Sequence, residues 1–146
     1  MKTSYLILLF GLILFSCSRE GKITRVIDGD TFIFDYHTRV RMSNIDAPEL
    51  SQPFGQESKI FLKQYEGKRG TIKTMGKDKY GRTLAVLYVD NENINLLSVN
   101  RGFAWKFICH DAIYQRAQNY AQDHKLGLWA NDAIEPCKWR KRYEKR

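Results

Sequence analysis

The spacing of the first three apolar runs constrains the fold more than any other feature. Residues 22–27 (KITRVI), 31–36 (TFIFDY) and 39–45 (RVRMSNI) are separated only by Asp28-Gly29-Asp30 and His37-Thr38. Each run carries the β-branched, aromatic and partly alternating pattern of a strand with one buried side. Asp-Gly is a turn signal. Links this short join antiparallel neighbours, because a parallel crossover needs about a dozen residues or more. The chain therefore begins as an antiparallel meander.

The third run ends at Asp46-Ala47-Pro48-Glu49, where Pro48 removes a backbone donor and fixes its own φ. Beyond Pro53, Phe54, Ser58, Phe61, Leu62 and Tyr65 recur at helical spacing over residues 54–64, and Gly67 ends that helix. Its apolar face needs a sheet to cover. Residues 68–74 read as a polar edge strand, 75–82 as a loop carrying Gly76 and Gly81, and 83–88 (TLAVLY) as a strand buried on both faces. Asn95 is placed to cap a short helix to Asn100. Residues 103–108 form an aromatic, irregular stretch, and Asp111 caps a last helix on which Ile113, Ala117, Tyr120 and His124 share a face. Short strands with a helix after the third and two later helices predict an α+β domain, mainly β. Its architecture is a five-stranded barrel of the oligonucleotide-binding (OB-fold) kind with three helices.

The chain ends carry other signals. Lys2, an almost unbroken apolar run over residues 5–15 and then Ser16 read as an export signal, since a spanning helix needs about 20 apolar residues. Leu14-Phe15-Ser16-Cys17 resembles the lipobox of bacterial lipoproteins. It predicts a signal peptide over 1–16, a lipidated Cys17 and a connector over 17–21. The protein would then be exported and membrane-anchored, on the outer side of the cytoplasmic membrane or in the outer membrane. A plain secretory signal cleaved near Cys17 is the alternative. In an oxidising compartment Cys109 and Cys137 are expected to form a disulfide, with free thiols as the alternative. The absence of CxxC and of any Cys/His cluster argues against zinc. The domain spans 22–137 and a basic tail follows over 138–146. A formal charge of +8 favours a polyanionic partner, either nucleic acid or an anionic membrane surface. A monomer is the default expectation.

Arg41, Asp46 and Glu49 are set around the end of one strand. With Asp30 and Arg82 they make a group of cations and carboxylates suited to a phosphodiester. Asp28 by itself is accounted for by hairpin chemistry. The motifs VIDGDT at 26–31, RMSNIDAPE at 41–49, FGQES at 54–58, DKYGR at 78–82, LLSVNRGFAW at 96–105 and LGLW at 126–129 occur in order. On these motifs, from about residue 22 to 129, the chain resembles the thermonuclease, or staphylococcal nuclease-like, family.

The resemblance implies an OB-fold barrel and a calcium-dependent, endonuclease-like phosphodiesterase that cuts DNA and RNA with low sequence specificity. It implies that Asp30, Asp46 and the Ala47 carbonyl ligate Ca2+, that Glu49 activates water, and that Arg41 and Arg82 hold the scissile phosphate. Lys79 and Tyr80 match residues that bind a neighbouring phosphate, and Asp28 matches a supporting carboxylate. The chemistry is consistent: calcium takes about six to eight oxygens, so two carboxylates and a carbonyl leave room for water and phosphate. Guanidiniums stay charged and donate in pairs to developing negative charge. Glu49 must lie within one water of phosphorus. The chain departs from the family where Ile108 and His110 replace tyrosines, which predicts retuned nucleotide preference without loss of cleavage. Two other readings compete: a nucleic-acid-binding barrel that has lost catalysis, and a structural envelope lipoprotein. The first usually shows a missing carboxylate or arginine in this set, and none is missing.

Overall fold

The computed structural model describes residues 18–107 and 111–144. The meander is present: β1 (Ser18–Val26), β2 (Thr31–Phe34) and β3 (Thr38–Met42) pair antiparallel in succession. After the Ser43-Asn44 turn comes β4 (Ile45–Asp46), and then α1 (Gly55–Lys63), which buries Ser58, Phe61 and Leu62 as its spacing predicts. A Cβ at Gly55 would fall 1.9 Å from the Glu49 carbonyl oxygen, so only glycine lets α1 start directly against the Glu49 turn.

β5 (Arg69–Lys77) runs antiparallel to β1 and to β6 (Thr83–Val89). β6 then lies parallel to β3, from Val40↔Thr83 to Met42↔Ala85. That pairing closes β1, β2, β3, β5 and β6 into the expected five-stranded, OB-fold-like barrel. Its interior is filled by Ile23, Phe32, Phe34, Val40, Met42, Ile72 and Leu87, all essentially inaccessible. Each such side chain contributes about 1.5–3 kcal/mol on burial.

β7 (Glu92–Asn93) leads into α2 (Ile94–Asn100). Here the cap differs from expectation. Asn93 caps α2, accepting from the Leu96 N–H, whereas Asn95 is fully buried. The Asn95 side chain accepts from the Leu87 N–H and donates to the Ala85 and Ser43 carbonyls. It therefore bolts α2 to β6 and to the turn that precedes Asp46.

Part of the aromatic stretch is regular. β8 (Trp105–Lys106) pairs with β4, setting Asp46 opposite Trp105. α3 (Ala112–Asp123) is capped by Asp111 as expected. Its buried face, however, is Tyr114, Ala117, Gln118 and Ala121, while Ile113, Tyr120 and His124 are exposed. A fourth helix, α4 (Pro136–Tyr143), forms where the sequence suggested only a basic tail. Proline at its start is favourable, because the first helical N–H groups need no intrahelical acceptor.

The leader, Cys17, Ile108, Cys109 and His110 lie outside the described residues. Cys137 is a free, half-buried cysteine in α4, so the expected bridge is not part of the described structure. The expectation of a membrane-anchored lipoprotein, with the membrane as partner and location, is not upheld. No helix among the described residues is long and apolar enough to cross a membrane. Ser18 to Gly21, expected as a connector, are hydrogen-bonded into the barrel against Lys73 to Gly70.

Candidate active site

The site begins in the turn between β1 and β2. Asp28 accepts from the Asp30 N–H at 3.0 Å, a local bond that shapes the turn. A Cβ at Gly29 would fall 2.7 Å from the Ala47 Cβ and 2.8 Å from the Ser58 Cβ. Glycine thus allows this turn to pack directly on the Asp46 loop and α1. The Asp30 carboxylate crosses to that loop, accepting from the Ala47 N–H at 2.8 Å, and takes a second bond from the Thr31 hydroxyl at 3.0 Å.

Arg41 joins the two central carboxylates. Its guanidinium lies 3.2 Å from Asp30 and 3.0 Å from Asp46, which are 6% and 3% exposed. It also donates to the Met42 and Ile45 carbonyls at 2.7 and 2.9 Å, so its orientation is fixed by backbone as well as by charge. Burial pushes the Asp46 carboxyl up from its ordinary value. The Arg140 hydrogen bond opposes that shift, the Asp30 charge adds to it, and the charges of Arg140 and Arg41 offset part of it. Asp28 is pushed up to about 6, by burial first and then by the neighbouring Asp30 charge. Burial thus makes the charged forms of these carboxylates costlier than in water, and Arg140 and Arg41 offset part of that cost at Asp46.

Arg82 comes from the loop between β5 and β6. Asp78 accepts from the Tyr80 and Arg82 N–H groups at 2.9 and 3.0 Å and from the Arg82 Nε at 2.7 Å. Burial pushes Asp78 up, but the Arg82 side chain and these backbone donors outweigh it and hold the carboxyl below its ordinary range. Lys79 and Arg82 both lie over the exposed ring of Tyr80, at 5.0 and 5.6 Å from its centroid.

The residues expected to form the phosphodiester site line one open cleft of about 1100 Å³: Asp28, Asp30, Arg41, Asp46, Ala47, Glu49, Lys79, Tyr80 and Arg82. They do not all touch. Arg82 pairs with Asp78, while Arg41 pairs with Asp30 and Asp46.

The sequence reading missed Arg140. From α4 it donates to Asp46 at 2.9 and 3.2 Å and to Glu49 at 2.7 Å. It also missed Gln52, which is buried, accepts from the Glu49 N–H at 3.2 Å and donates to the Ile134 carbonyl. Gln52 therefore ties the Glu49 turn to the approach of α4. Nothing in local sequence marks either contact; the basic run at the C-terminus signals charge and no more.

Asp30, Asp46 and Ala47 line the cleft, and a buried carboxylate pair is chemistry that fits a hard cation. The side chains fall short of a full shell. Among the described residues no group of three or more His, Cys, Asp or Glu is arranged to hold a metal.

Residues 39–131 match the family model described as staphylococcal nuclease homologue. A protein of Haemophilus influenzae named "Uncharacterized endonuclease" is 44% identical, over 92% of this chain and 82% of its own. One of Escherichia coli O157:H7 with the same name is 37% identical over 84% and 86%. The "Micrococcal nuclease" of Shigella flexneri is 34% identical over 84% and 80%. The matched segment contains Arg41, Asp46, Glu49 and Arg82, but neither Asp30 nor Arg140.

Proposed function

The chain belongs to the staphylococcal nuclease homologue family, which carries nuclease-like hydrolysis in general, and from that premise we propose a calcium-dependent phosphodiesterase acting on DNA and RNA with low sequence specificity. The observation that carries the reading is the convergence of Asp30, Asp46, Glu49, Arg41 and Arg82 on one solvent-open cleft. Relatives named endonuclease and nuclease support the reaction class.

In this reading Asp30, Asp46 and the Ala47 carbonyl hold Ca2+, which supplies Lewis-acid stabilisation of the phosphate charge when bound. Arg41 and Arg82 approach the phosphate from different elements, one from β3 and one from the β5–β6 loop. Both remain cationic as negative charge grows on the phosphoryl oxygens. Glu49 is about one-third exposed, so a water can reach its carboxylate. It accepts a proton from that water as the new O–P bond forms and the bond to the leaving sugar oxygen breaks. Lys79 and Tyr80, on the rim, bind a neighbouring phosphate. Asp28 supports the site through its bond to the Asp30 N–H. Contacts of this kind address the backbone and not base edges, so cleavage is tolerant of sequence and weakened by salt.

The test is incubation of single-stranded DNA, and separately RNA, with the protein in Ca2+ or chelator. The variants Glu49→Gln and Arg82→Ala run alongside. Calcium-dependent cleavage that falls by about a hundredfold or more in both variants is the expected result. Tight binding without cleavage at any calcium concentration would favour the inactive barrel instead.

A further inference from the structure

Arg140 occupies a position that a metal-dependent reaction needs vacated. One Asp46 oxygen accepts from both Arg41 and Arg140, and the other accepts from Arg140 again. The same guanidinium holds the Glu49 oxygen at 2.7 Å. Asp30, Asp46 and Glu49 are thus neutralised in large part by two arginines belonging to the chain itself. A dication cannot share Asp46 with Arg140 without strong repulsion.

The helix that brings Arg140 is weakly held. Only Pro136 of α4 is buried, and a helix of this length has little stability of its own. Lys138, Arg140, Lys141 and Arg142 repel one another along it. Apart from Arg140 and the partial burial of Cys137 and Trp139, the hydrogen bonds that tie it among the described residues are the Gln52 bond to the preceding Ile134 carbonyl and a long contact of 3.4 Å from Ser51 to Glu144. Arg140 itself is 36% exposed, so it can swing into solvent without crossing the core.

We propose that Arg140 is a latch: a resident counter-cation that closes the carboxylate site in the metal-free protein and that a divalent cation displaces, loosening α4. The proposal rests on the reading of Asp30 and Asp46 as a cation site. While latched, a Glu49 carboxylate oxygen is occupied by the Arg140 guanidinium in place of a water. Metal binding would therefore free the ligand and the base together.

The test is calorimetric titration of the full chain with Ca2+, without nucleic acid, for the wild type, Arg140→Gln and Arg140→Lys. Hydrogen exchange of residues 136–143 is followed in parallel. Removing the competitor should tighten Ca2+ binding about tenfold in Arg140→Gln, with a smaller gain in Arg140→Lys, which keeps the charge but loses the fork. Added Ca2+ should lower amide protection of α4 in the wild type, and α4 of Arg140→Gln should be poorly protected from the start. Measurable but equal affinities, weaker binding in Arg140→Gln, or α4 protection unmoved by Ca2+ would overturn the latch alone. No Ca2+ binding by any of the three proteins would overturn the cation site and the latch with it.

Discussion

Asn93 and Asn95 stand two residues apart and carry very different burdens, so substituting each in turn tests the logic of the fold. Asn93→Ala removes the acceptor of the Leu96 N–H at the start of α2. Cap losses of this kind cost about 1 kcal/mol, because water can partly replace the bond. Asn95→Ala removes a fully buried amide. The Leu87 N–H then loses its side-chain acceptor and the Ser43 carbonyl its side-chain donor, while the Ala85 carbonyl keeps the Ser43 N–H. One buried and one half-buried group stripped at roughly 1–3 kcal/mol each give a loss of about 4 kcal/mol. In urea, with a slope of about 2 kcal/mol per molar, the midpoint should drop by about 2 M for Asn95→Ala and about 0.5 M for Asn93→Ala. Because Ser43 opens the turn into Asp46, Asn95→Ala should also depress nuclease activity below the unfolding transition. Equal midpoint shifts, or a loss under about 1 kcal/mol for Asn95→Ala, would refute the assignment of Asn95 as the bolt between α2, β6 and the site.

The same structure makes further claims. Gly55→Ala must move backbone at Glu49; a loss of roughly 2 kcal/mol should accompany a fall in DNA cleavage larger than the loss of folded protein explains, as read by urea unfolding beside a cleavage assay. Arg41→Gln strips the buried Asp30 and Asp46 of their shared cation and should cost about 3–5 kcal/mol at neutral pH without divalent ions, measured by chemical denaturation. Asp78 is held below its ordinary range, so its contribution, about 1 kcal/mol, is complete above pH about 4. It is lost as pH falls through the lower folded value. The gap in unfolding free energy between wild type and Asp78→Asn should therefore be constant from pH 5 to 8 and close below about 4; a gap that widens in acid would contradict the pairing with Arg82.

What the sequence determined by itself is what short-range physics determines. Links of two or three residues force the antiparallel meander, although the run expected over 39–45 breaks earlier than Pro48, at the Ser43-Asn44 turn, and Asp111 caps α3 through an atom two residues from its donor. The motif residues that line the cleft were legible chiefly through the family resemblance, while their meeting in one place required the barrel to close. Tertiary structure alone decided the rest. Ser18 to Gly21 became strand because β5, some fifty residues later, offers them an edge. Asn95 became a buried bolt and not a cap because the carbonyls of Ser43 and Ala85 converge on it. The burial phase of α3 followed α2 and β8, against which it packs, not the apolarity of Ile113 and Tyr120. Arg140 reached Asp46 across 94 positions. Electrostatic attraction between a buried carboxylate and a distant cation has no period or spacing in sequence, so the contact that most alters the reading of the site was the one sequence could not express.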